Sequence, residues 1–196
     1  MKAAAVTIAA AVALGLIGQV SDHHGPDAAL LFALGGPWVV TAFAVGALTR
    51  STVAGTLACA LSVPVYYIVM LLVERRGHPG YAMSMIALWG GAAVACGALF
   101  GWLGAAARER SGRGRAAAVA VLGGTLAGEA ALFLALHARA GSPVLVAELA
   151  AGMALVGAAV WPARAHALAV ATVAAGTAAV ADGALRLAMR TQGWGG

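Results

Sequence analysis

The sequence is poor in charge. Asp, Glu, Lys and Arg together make up 10% of 196 residues, Asn is absent, and Lys2 is the one lysine beside eleven arginines. With so few polar groups the chain cannot wet the surface of a soluble globule, which excludes a cytosolic domain. Cysteine is scarce as well. Cys59 and Cys96 both fall inside apolar runs, which argues against a disulfide framework or a cysteine metal site and for small packing residues. No nucleophile elbow, phosphate loop, zincin helix or paired-cysteine motif occurs, so no cofactor is expected and an intramembrane enzyme ranks last among the readings.

What is present is hydrophobic. Apolar residues make up 62% of the chain and mean hydropathy is +0.92, values of an integral membrane protein whose first partner is the lipid bilayer. A net charge of +5 would suggest nucleic acid in a soluble chain. Here the basic residues lie between apolar runs, where they orient helices, and no nucleic-acid partner is expected. The arginine bias, with the Ala, Gly and Val content, suits a GC-rich bacterial genome and hence a bacterial plasma membrane.

Lys2 and the run from Ala3 to Val20 read as a first transmembrane helix over 1–20, with a signal peptide as the alternative. Further apolar runs cover 29–48, 52–73, 81–103, 116–137, 144–161 and 166–185. The expectation is an all-α, polytopic helix bundle of about seven spans, forming one integral membrane domain over 1–196. Lys2, Arg50, Arg108, Arg110, Arg113, Arg115 and Arg164 fall on one side of that topology, which places the N-terminus in the cytoplasm. Tyr81, Trp102 and Trp161 lie near span ends as interfacial anchors.

An internal repeat is also expected. Gly36 to Tyr66 and Gly152 to Asp182 are both 30 residues, and Gly91 to Glu129 is 38, the excess matching the basic loop Arg108 to Arg115. One helix followed by three hairpins, 29–77, 81–141 and 144–193, accounts for these spacings.

Acids within such a chain require a reason. Glu129, in a run fit for lipid, lies roughly 12 Å below one surface, where an acidic side chain costs about 2.5–3.5 kcal/mol on insertion scales. Gly124 and Gly128 beside it allow close approach of another helix. The expected ligand-binding set is Glu129, Tyr66, Tyr67, Asp182, Glu148 and Trp89, with the helix-disrupting Gly35-Gly36-Pro37 and Pro64 in the same outer half. Asp182 has a plainer account in Arg186, one turn on. Glu148 has one in an interfacial position near a helix N-terminus. Glu129 has none, and is expected to be the acid most sensitive to replacement. Asp22, His23, His24, Asp27, Glu74 and His78 are metal-ligand types, but their spacing does not match a zinc site, and no metal is assigned.

At Gly36-Pro37-Trp38, Gly46-Ala47-Leu48-Thr49-Arg50 and Tyr66-Tyr67 the chain resembles small hydrophobic actinobacterial membrane proteins of uncharacterised function. In size and in an Ala-rich first helix, with Ala5 and Ala9 as a docking stripe, it is also similar to the substrate-binding S-components of energy-coupling-factor vitamin transporters. That resemblance implies a solute held in the outer half of a compact bundle. The function expected is binding or transport of a small solute, cations favoured, through an acidic pocket. The alternative is a structural membrane protein, binding a partner protein or a second copy, with its acids as interhelical glue.

Overall fold

The computed structural model describes the backbone of residues 2–72, 78–136 and 142–191, and the side chains of these except 31–33, 136, 162–165, 167 and 178–191. The described residues are helical almost throughout: α1 (Lys2–Ser21), α2 (Pro26–Ala33), α3 (Gly36–Thr49), α4 (Thr52–Leu72), α5 (Pro79–Glu109), α6 (Arg113–Leu136) and α7 (Pro143–Thr191). Stretches of five of them, α1, α4, α5, α6 and Pro143–Trp161 of α7, are long and apolar enough to cross a membrane. This is an all-α bundle with the composition of a membrane protein.

Local chemistry explains the boundaries. Pro26, Pro37, Pro79 and Pro143 stand at or next to helix starts, where a missing N–H is harmless. The His78 ring nitrogen caps α5 by accepting from the Gly80 N–H at 3.1 Å, and Ser51 Oγ accepts from the Ala54 N–H at 3.2 Å at the start of α4. Pro64 lies inside α4 without ending it.

One expected span is corrected. The apolar run 29–48 is not a single helix: Leu34 turns to extended backbone, separating α2 from α3 at Gly35-Gly36. Two adjacent glycines followed by proline favour a break, and α3, at 14 residues, covers only about 21 Å.

The helix α7 does not run straight. Gly152 packs against Gly123 and Ala127, while Ala171 and Ala175 pack against Gly124 and Gly128, and Ala159 shares a buried cluster with Ala116, Ala120 and Ala171. A straight helix would separate residues 152 and 175 by about 35 Å, yet they touch adjoining turns of α6. The chain therefore reverses between Ala159 and Ala171, giving two arms where the sequence predicts spans at 144–161 and 166–185.

The helices form two groups. In the first, α3, α4 and α5 cross on glycines: a Cβ on Gly46 would lie 2.2 Å from the Gly101 carbonyl oxygen, and one on Gly104 2.0 Å from that of Phe43. The helix α1 runs alongside α4, with Gly15 pressed on Ser62 and Val65. The second group is α6 between the arms of α7. Small residues serve here because apolar surface gains little by leaving lipid, so helix association depends on close backbone approach.

Gly104→Val should therefore destabilise the protein by at least about 2 kcal/mol, since backbone rather than a movable side chain blocks the new methyls. Gly91→Ala, with nothing within 4 Å of the added carbon, should be neutral or stabilising by up to about 1 kcal/mol. Unfolding midpoints in detergent check both, and equal responses would contradict the packing described.

Candidate functional site: two buried acids at a helix break

The two helix groups meet at the interruption between α2 and α3. Ending α2 and restarting α3 leaves unsatisfied N–H groups and a partial positive charge at the start of α3. From α6, Glu129 meets this need: its Oε1 accepts a hydrogen bond from the Gly35 N–H at 2.6 Å. A Cβ on Gly35 would lie 3.3 Å from both carboxylate oxygens, so the group lies across the backbone at a place only slightly open to a side chain. Glu129 is 7% exposed. Its expected inward orientation is what the structure has.

The second acid of the expected set, Glu148, is 9% exposed, and a Cβ on Gly36 would fall 2.2 Å from its Oε1. Neither of its oxygens has a hydrogen-bond partner among the described residues. Glu129 and Glu148, on different helices and beside adjacent glycines, are near enough to repel one another. A buried carboxylate without a donor is costly, and a second one beside it more so.

Apolar layers close the site on two sides. One turn towards the α1–α2 end, Leu30, Leu34, Phe133 and Leu145 form a buried cluster drawn from α2, α6 and α7. On the other side Leu126 and Leu122 belong to the main core with Val39, Cys59, Val63 and Tyr67. At the α1–α2 end, Asp27 Oδ1 accepts from Ser142 Oγ at 2.8 Å, tying the start of α2 to the start of α7.

The other expected site residues are not shown at the acids. The Tyr66 hydroxyl donates to Asp22, and its ring meets that of Tyr67 edge-on at 5.0 Å between centroids. Tyr67 is buried in the main core, and Trp89 is half-buried at its edge. The Asp182 side chain lies outside the described residues, as do Glu74 and the side chain of Arg186. Of the loop residues of metal-ligand type, Asp22 and Asp27 are taken by Tyr66 and Ser142, and the His24 ring bonds the Val20 carbonyl. A further buried polar group lies outside the expected set: Gln19, 3% exposed, whose Oε1 has no hydrogen-bond partner among the described residues. Only its being an amide in the otherwise apolar stretch 8–20 could have marked it.

The geometry makes Gly36 and Glu148 a coupled pair. Gly36→Ala should destabilise the protein by about 1–3 kcal/mol in the wild-type background, and by less in Glu148→Ala, with a coupling of at least about 1 kcal/mol in a double-mutant cycle. Additive effects would mean that the carboxyl group does not occupy this position.

Comparisons with known proteins agree with a chain whose chemistry must be read from its own residues. No curated protein and no solved structure matches it. A family profile does, over residues 1–192, and on that match the chain belongs to DUF6518, a family of unknown function.

Proposed function

We propose that this membrane protein binds a small cation at the α2–α3 break, with Glu148 as the ligand-facing acid and Glu129 as the acid that holds the break in shape. The observation carrying this reading is the Glu148 carboxyl group, buried, without a hydrogen-bond partner among the described residues and beside a second acid. A carboxylate in that position calls for a counter-charge, and a bound cation is the most direct one. The occupant is small. Both acids lie against glycine backbone, Glu129 at Gly35 and Glu148 at Gly36. That favours an ion over the larger solute implied by the vitamin-transporter resemblance. Interrupted helices hold ions in transporters because freed backbone groups and helix ends supply fixed partial charges, which supports transport of the same ion as the wider role.

The orientation proposed is N-terminus inward in a bacterial plasma membrane, on the positive-inside rule. A second reading rests on the Gly35–Glu129 bond: the acids are structural glue between the two helix groups, without a ligand.

Titration of the purified protein with Na⁺, K⁺ or Mg²⁺, with choline keeping ionic strength constant, separates the two. Binding predicts a rise in thermal midpoint with one of these ions, worth about 2.7 kcal/mol at a hundred times Kd. Glu148→Gln should abolish that rise while leaving the ion-free protein folded. An unchanged midpoint with all three ions, or a rise that survives Glu148→Gln, would leave the structural reading.

A further inference from the structure

A second feature lies at the opposite end of the bundle and does not depend on the acid site. The helices α1 and α4 start side by side and run in the same direction, with Ala10 packed on Ala54 and Ala58. Their facing surfaces leave an open groove of about 360 Å³, lined among others by Ala3, Ala4, Ile8, Ser51, Leu57 and Leu61. From Ser51 to Leu61 it extends along α4 for about 15 Å, half of a hydrocarbon core of about 30 Å and so the depth of one leaflet.

The lining offers nothing for a polar solute. Thr7 Oγ1 donates to the Ala3 carbonyl at 2.9 Å, and Ser51 Oγ accepts from the Ala54 N–H, so both hydroxyls in the lining take part in helix hydrogen bonds and the rest of it is hydrocarbon. The end of the groove is different. Lys2 precedes Ala3, Arg50 precedes Ser51, and both are exposed. An open apolar groove one leaflet deep, with an exposed cation next in sequence to a lining residue on each helix, has the charge and polarity pattern of a phospholipid turned inside out.

Arg50 carries a second mark. Its φ is 54°, and it is the one non-glycine residue with positive φ among the described residues. It caps α3 in the left-handed conformation, its own N–H bonded to the Gly46 carbonyl. Glycine or asparagine is the usual occupant of such a cap, and a long cationic side chain held there at a conformational cost suggests use of the guanidinium. A second groove provides the contrast: Arg115 lines it, but its Nε is committed to the Ala107 carbonyl at 3.0 Å.

We infer that the α1–α4 groove holds one acyl chain of an anionic glycerophospholipid, whose phosphate is held between Lys2 and Arg50. A guanidinium and an ammonium suit this role together, one as a planar fork for two phosphate oxygens and the other as a mobile point charge.

Native mass spectrometry of the full chain in detergent, titrated with phosphatidylglycerol or with phosphatidylcholine of identical acyl chains, tests the assignment. Because the choline ammonium offsets the phosphate of phosphatidylcholine, wild type should favour phosphatidylglycerol by at least about tenfold, and the double variant K2Q/R50G should weaken phosphatidylglycerol binding by roughly 30-fold and phosphatidylcholine binding by clearly less. Arg50→Gly relieves the left-handed backbone, so loss of lipid cannot be ascribed to unfolding, and an unfolding midpoint at or above that of the Lys2→Gln single variant checks this. Ala4→Phe, filling the groove, should weaken both lipids alike. Arg108→Gln, at the same end but outside the groove, should leave the preference intact. No preference in wild type, its persistence in K2Q/R50G, or an equal loss in Arg108→Gln would overturn the inference.

Discussion

The hydrogen bond from the Gly35 N–H to Glu129 is the contact on which the rest of the arrangement depends. It joins the two helix groups where they meet, neutralises a donor exposed by the helix break, and spends one of two buried acids in doing so. In a dry interior the absence of this bond would leave the Gly35 amide unmatched. With Glu129 so occupied, Glu148 is the acid with no hydrogen-bond partner among the described residues. The division of labour between the two follows from geometry rather than from residue type.

The seam differs from the rest of the bundle in how it holds together. Within each group, glycines bring backbones into contact: Gly46, Gly55 and Gly104 in the first, Gly123, Gly124 and Gly128 in the second. Such packing is rigid, because a shift of one helix meets backbone rather than yielding side chains. Across the seam the links are side-chain ones: the polar pairs Gly35 to Glu129 and Asp27 to Ser142, the leucine and phenylalanine cluster beside them, and the main core, where Leu122 and Leu126 of α6 join Val39, Cys59 and Val63.

Much of this could be read in the sequence, for identifiable reasons. Long apolar runs bounded by Pro, Ser or arginine clusters became α1, α4, α5 and α6, because in lipid the backbone must satisfy itself and helix is the local solution. The inward position of Glu129 followed from the cost of facing lipid. The break at Gly35-Gly36 was marked by the glycines and Pro37, but hydropathy alone joined 29–48 into one span, since a window average does not register a dihedral angle. The burial of Glu148 beside Gly36 depends on the approach of α7 to α3, a contact across more than a hundred residues that no local pattern encodes. For Tyr66 the polar end pointed elsewhere, to Asp22, and nothing near residue 66 in the sequence indicates that partner.

The central claim, that Glu129 holds the break by accepting from Gly35, is tested most directly by the amide resonance of Gly35 in ¹⁵N-labelled protein in detergent micelles. A short bond to a carboxylate should place its proton well downfield of an ordinary helical glycine, and Glu129→Gln should move it upfield while resonances in the α3–α4–α5 glycine crossings stay in place. A Gly35 amide at an ordinary shift, unmoved by that substitution, would contradict the account.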